Sequence, residues 1–154
     1  MAFDVNDPAD LLALKNEVNN DPLALGYAPE SGNVTNIINI LNTKNYTVSK
    51  PKISAADIRS ATTYDAYNNL SIDEQEWIRW MTGSNGFDQE NVTVTQDLRD
   101  RLTDGTNSIW AAGDRTAMNA AMLALIEVPG SRAEVLFGYG TTLNKNDYTT
   151  ARDS

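Results

Sequence analysis

"SRAEVLFGYGTT", residues 131–142, is the stretch on which the reading of this chain turns. Its glycines, Gly138 and Gly140, flank Tyr139. Such a loop either cradles a ligand or ends a helix. A phosphate loop needs a preceding strand, more glycine and usually a lysine. What precedes here is a helix start. Ser131 with Glu134 three residues later is a capping box, in which each side chain satisfies the other residue's free backbone N–H. Val135, Leu136 and Phe137 follow, and Gly138 stands where a helix end calls for a left-handed residue. The first seven residues therefore predict a helix of one and a half turns with cap and stop. "YGTTLNKND" then leads into a last short helix near residues 145–151.

The same grammar runs through the rest of the chain. Asp7-Pro8 is an N-cap followed by proline at the first helical position, where a missing N–H costs nothing. Leu11, Leu12, Leu14 and Val18 form an apolar stripe through about residue 19. Asp21-Pro22 opens a short turn that Gly26 ends, and Asn33 caps a helix carrying Val34, Ile37, Ile38 and Leu41. "NYTVSKPKI" reads as an extended link, because Pro51 biases Lys50 away from helix. Ser54 with Asp57 starts a short helix. Ser71 with Glu74 is a capping box ahead of Trp77, Ile78, Trp80 and Met81, and Thr93 with Gln96 reads as another ahead of Leu98 and Leu102. "DRTAMNAAMLALIEV" is the strongest helix, closed by Pro129 and Gly130.

No strand alternation persists beyond four residues, and there is no internal repeat. The expected fold is all-α: a compact irregular bundle of about eight short helices. Residues 1–154 are expected to form a single helical domain, with a possible loose division near 84–92. The glycine-containing links near 83–91 and 105–113 are expected as surface loops.

Composition narrows the chemistry. The chain has 154 residues, no cysteine and no histidine. Disulfides and thiolate chemistry are excluded, and the commonest general base and nitrogen ligand are missing. A net charge of −9 repels phosphate backbones and anionic membranes, so neither nucleic acid nor membrane is an expected partner. It also keeps a protein soluble when many copies are made at once. No apolar run is long enough for a membrane span, and "MAFDVNDPAD" does not read as a signal peptide.

Carboxylates cluster at Asp73, Glu74 and Glu76 and at Asp97 and Asp100. A glycosidase uses such a pair, but acidic residues also belong in a first helical turn, where they offset the dipole. Asp97, Asp100 and Asp104 lack the central glycine and closing glutamate of a calcium loop. No catalytic, cofactor-binding or metal residue is assigned, and no cofactor is expected. Trp77 and Trp80 are expected in the core. Trp110, in a loop between Ile109 and Ala111, reads instead as a contact anchor, because tryptophan buries much area with little entropy loss. Tyr27, Tyr46, Tyr64, Tyr67, Tyr139 and Tyr148 can serve in the same way.

Taken in order, these landmarks resemble a family of small all-helical structural proteins of tailed-bacteriophage virions. "NNDPLALGYA", "IINILN", "YTVSKPKISAADI", "LSIDEQEWIRWM", "NVTVTQDLRDRL" and "MNAAMLALIEV" precede the most specific piece, "SRAEVLFGYGTTLNKNDYTTAR". The likeness runs from about residue 8 to 152. Its closing pattern falls on Ser131, Arg132, Ala133, Glu134, Leu136, Phe137, Gly138, Gly140, Thr141, Asp147, Tyr148, Ala151 and Arg152. Relatives more often carry valine where this chain has Tyr148.

The resemblance implies a non-enzymatic virion component of the neck or tail, assembled in the bacterial cytoplasm from copies of itself and other virion proteins. The expected contact residues are Trp110, Phe137, Tyr139, Gly140 and Tyr148. A capsid decoration protein, a virion-associated cell-wall hydrolase with paired carboxylates, and a small regulatory protein binding one host partner are the alternatives.

Overall fold

The capping residues read from the sequence start most of the helices in a computed structural model that describes residues 2–83 and 90–154. In chain order the first elements are α1 (Pro8–Asn20), α2 (Val34–Asn42), β1 (Tyr46–Ser49), β2 (Lys52–Ser54), α3 (Ala55–Ala61), α4 (Tyr64–Asn68) and α5 (Ile72–Met81). Then come β3 (Asn91–Thr93), α6 (Gln96–Thr103), α7 (Arg115–Ile126), β4 (Glu127–Gly130), α8 (Arg132–Phe137) and α9 (Lys145–Asp153). The fold is mostly helical, 56% helix, with two small two-stranded sheets: β1 with β4 and β2 with β3.

The sheets correct the expectation of a purely helical chain. The link around Pro51 finds partners on both sides. β2 pairs antiparallel with β3, placing Lys52 opposite Thr93, Ile53 opposite Val92 and Ser54 opposite Asn91. Thr93 is therefore a strand residue. Thr95 is the real cap of α6, its hydroxyl accepting the Leu98 amide at 3.1 Å. At the other sheet, α7 stops at Ile126 and Glu127 is already extended. Pro129 disfavours helical backbone at Val128, so the chain enters a strand before its expected stop. α4 was not read from the sequence; Thr63 caps it through the Ala66 amide.

Contacts divide the chain into two units, Met1–Val48 with Pro129–Ser154, and Ser49–Val128. The expected division near 84–92 and the link at 83–91 fall largely on residues 84–89, which lie outside the described residues.

In the first unit, Asp7 accepts the Ala9 amide at 2.8 Å and launches α1. Asp21 ends that helix in the left-handed region, φ 39°, and its carboxylate takes the amides of Leu25 and Gly26 at 2.6 and 2.7 Å. This loop turns Tyr27 inward. α1 packs on α9, and α2 on α8 and α9. Leu14, Val18, Tyr27, Ile37, Leu41, Phe137 and Tyr148 are among the core residues between them. Asn42 ties α2 to the segment ahead of α9, its amide exchanging two hydrogen bonds with the Leu143 backbone at 2.7 and 3.0 Å. Gly130 lies so close to Val48 that a Cβ there would overlap both of its methyl groups.

In the second unit, α7 packs against α6, α3 and β2. Its core includes Ile53, Ile58, Leu70, Ile78, Val92, Leu102, Trp110, Met118, Met122 and Ile126. The loop after α6 is held by its own polar groups. The Asp104 carboxylate accepts the amides of Thr106 and Asn107 at 2.8 and 2.5 Å, and Asn119 donates to the Asp104 carbonyl at 2.9 Å. Arg115 clasps the carbonyls of Thr106 and Trp110.

Candidate protein-contact site

The capping box at Ser131 forms as read: its hydroxyl accepts the Glu134 amide at 3.2 Å, and its own amide donates to Glu134 Oε2 at 2.8 Å. The other oxygen, Oε1, accepts the Gly140 amide at 2.9 Å. One buried carboxylate thus holds both ends of the stretch. Gly138, φ 100°, and Gly140, φ 84°, supply the backbone conformations this needs. The Gly140 N–H that a ligand-binding loop would offer to an anion is satisfied by the protein's own glutamate. Burial raises the Glu134 carboxyl, but the amides of Ser131 and Gly140 outweigh it and hold the group below the usual carboxylate range.

The five expected contact residues divide sharply. Tyr139 is 45% exposed, and Gly140 is exposed with open space over its Cα. Trp110, Phe137 and Tyr148 correct the expectation, because each is enclosed. Trp110 is fully buried and its indole N–H donates to the Leu102 carbonyl at 2.9 Å, so it closes the second unit's core. Phe137 meets Phe3 edge-to-face at 5.0 Å between centroids. Tyr148 is 2% exposed, and burial raises its phenol. Tyr27 is likewise buried.

Other side chains take the outward place. Tyr64 is 80% exposed, Ile72 74% and Trp80 59%. Trp77 and Trp80 were expected to share the core, yet α5 turns Ile78 and Met81 inward instead. Trp77 is half-buried under the Arg101 guanidinium, 5.0 Å from its ring centroid, and Trp80 projects beside a groove bordered by Val92 and Leu98. The spacing alone did not separate the two pairs, since 77 and 80 are three apart just as 78 and 81 are.

Three of the clustered acids have structural engagements. Glu74 accepts the Ser71 amide at 2.9 Å, Asp97 pairs with Arg101 at 3.1 Å, and Asp100 accepts from Gln96 at 2.7 Å. No group of three His, Cys, Asp or Glu able to hold a metal ion occurs among the described residues. None of the described helices is long and apolar enough to cross a membrane.

Sequence reasoning missed the most buried charge among the described residues. Glu17 is 5% exposed, gripped by Arg132 at 2.7 and 2.8 Å and by the Tyr27 hydroxyl at 3.0 Å. Its place beside Val18 and three residues after Leu14, on the inner face of α1, was the clue.

No family model matches the chain, and no curated protein or solved structure is significantly similar to it.

Proposed function

We propose that this chain is a structural component of a tailed-bacteriophage virion, assembling in multiple copies in the tail or neck through contacts with itself and other virion proteins. The ordered sequence landmarks, ending in "SRAEVLFGYGTTLNKNDYTTAR", support the family reading. The observation that carries the mode of action is the outward placement of large apolar side chains on capped helices and on the turn after α8. Tyr64, Ile72, Trp80 and Tyr139 stay in water while both cores are filled. Rigid aromatics of this kind are what protein interfaces use as anchors. Assembly by surface complementarity requires no turnover. A capsid decoration role is a variant of the same reading. The hydrolase alternative is weakened because Glu74 and Glu134 serve as helix caps.

Mass spectrometry of purified particles tests the proposal. The chain is expected in multiple copies per particle, and its absence from mature virions overturns the reading. Trp80→Ser and Tyr139→Ser are expected to retain the fold, because surface substitutions seldom move stability beyond about 0.5 kcal/mol, and to lower incorporation.

A further inference from the structure

The arginines of this acidic chain have an uneven distribution of partners. Seven are present. Arg99, Arg101, Arg132 and Arg152 form ion pairs with Glu127, Asp97, Glu17 and Asp153. Arg115 is occupied by the carbonyls of Thr106 and Trp110. The two that pair with no carboxylate among the described residues, Arg59 and Arg79, line the same groove.

That groove, of about 420 Å³, lies along α3, α4 and α5, and none of its described lining residues is acidic. Its floor includes Ile78, and Tyr64 and Tyr67 stand at its side. Arg59 is anchored by a hydrogen bond from Nη1 to the Thr82 carbonyl, which fixes the guanidinium and leaves its other N–H groups without a protein acceptor among the described residues. Arg79 is exposed, with its guanidinium 6.0 Å from the Tyr67 ring centroid. A guanidinium placed over a ring face keeps N–H donors available for a carboxylate.

We propose that this groove is a docking site for an acidic polypeptide segment of a partner, whose carboxylates pair with Arg59 and Arg79 while its apolar atoms rest on Tyr64 and Ile78. Charge complementarity selects this occupant. Two guanidiniums with no carboxylate partner among the described residues, and no acidic residue in the groove's described lining, attract anions locally, and the bidentate fork suits a carboxylate. A nucleic acid would bring a long run of phosphates against a chain of net charge −9. The inference rests on the reading that the chain works through protein contacts, and it names the chemistry of one partner.

The test is titration of the isotopically labelled full-length chain with a capped hexaglutamate peptide at low salt, followed by amide chemical shifts. Saturable shifts are expected first at Arg59, Tyr64 and Arg79. Arg79→Glu should weaken binding at least about tenfold, a 1.4 kcal/mol change, and Arg79→Met should weaken it without introducing a repelling charge. Shifts scattered over the surface, or unchanged binding in both variants, overturn the proposal. So does equal or tighter binding of inorganic phosphate or an oligothymidine at the same residues. Particle composition reports on the assembly reading separately, so failure of one is distinguishable from failure of the other.

Discussion

Arg132 and Glu17, 115 positions apart in the chain, meet in a two-point ion pair whose side chains are 14% and 4% exposed. The pair fastens α8 to α1, and Tyr27 donates to the same carboxylate. Removing one partner strands the other charge away from water. Arg132→Met is therefore expected to cost about 3–5 kcal/mol, and Tyr27→Phe about 1 kcal/mol, read from urea denaturation midpoints. The Glu17→Gln, Arg132→Met double variant should cost less than the sum of its single changes. Strict additivity would mean the pair is not coupled.

Alkaline pH gives a second readout of the cluster. Burial pushes the Tyr27 phenol far above its ordinary range, and the charge and hydrogen bond of Glu17 push it the same way. The unfolded chain releases that proton near pH 10, while the folded chain retains it. Above that pH the unfolded state binds fewer protons, so stability is full below about pH 10 and falls as pH rises further. Tyr27→Phe should flatten this decline in part; Tyr148, also raised by burial, keeps contributing. An identical alkaline slope in wild type and variant would remove Tyr27 from the explanation.

Acid probes Glu134. Its folded carboxyl is held below the usual range, so its contribution is present above about pH 4.3, the ordinary glutamate value, and is lost as pH falls through the depressed folded value. Glu134→Gln keeps the shape but removes the charged acceptor shared by Ser131 and Gly140. At pH 7 the variant should be less stable by about 1–2 kcal/mol. Near pH 3 the gap between variant and wild type should shrink. A gap that stays constant on acidification would assign the loss to packing alone.

Gly130 tests close approach. Gly130→Ala places a methyl against the stiff, β-branched side chain of Val48 and should cost about 1–3 kcal/mol. Adding Val48→Ala makes room, so the second change should be less costly in the Gly130→Ala background than in wild type. A double-mutant cycle on thermal or urea unfolding measures the coupling.

The helices were legible because their signals are local. Asp7, Asn33, Ser54, Ser71 and Ser131 each cap within three residues of themselves, and the caps form where the sequence places them. The strands were not legible because they are short and take their partners from afar: Ile53 faces Val92, and nothing near either residue announces the other. Exposure was only partly legible for a similar reason. Trp110 has the setting of a surface loop, and only Leu102, Arg115 and Asn119 together show that this loop folds inward. At the 131–142 stretch, the helix and its stop could be read, while the Glu134 hydrogen bond to Gly140 depended on a loop conformation the sequence does not spell out.

The order of the two units along the chain has a consequence for how the protein forms. The second is nested as an insertion inside the first, which needs both the start and the end of the chain. The Lys50 amide bonds the Ile126 carbonyl at 2.8 Å, so folding of the insertion fastens its own ends together. Each halving of the effective loop that separates the two outer pieces lowers their closure cost by about 0.6 kcal/mol. Closing the insertion thereby shortens the search of the outer pieces for each other, and α1 and α2 gain their packing partners only when α8 and α9 follow.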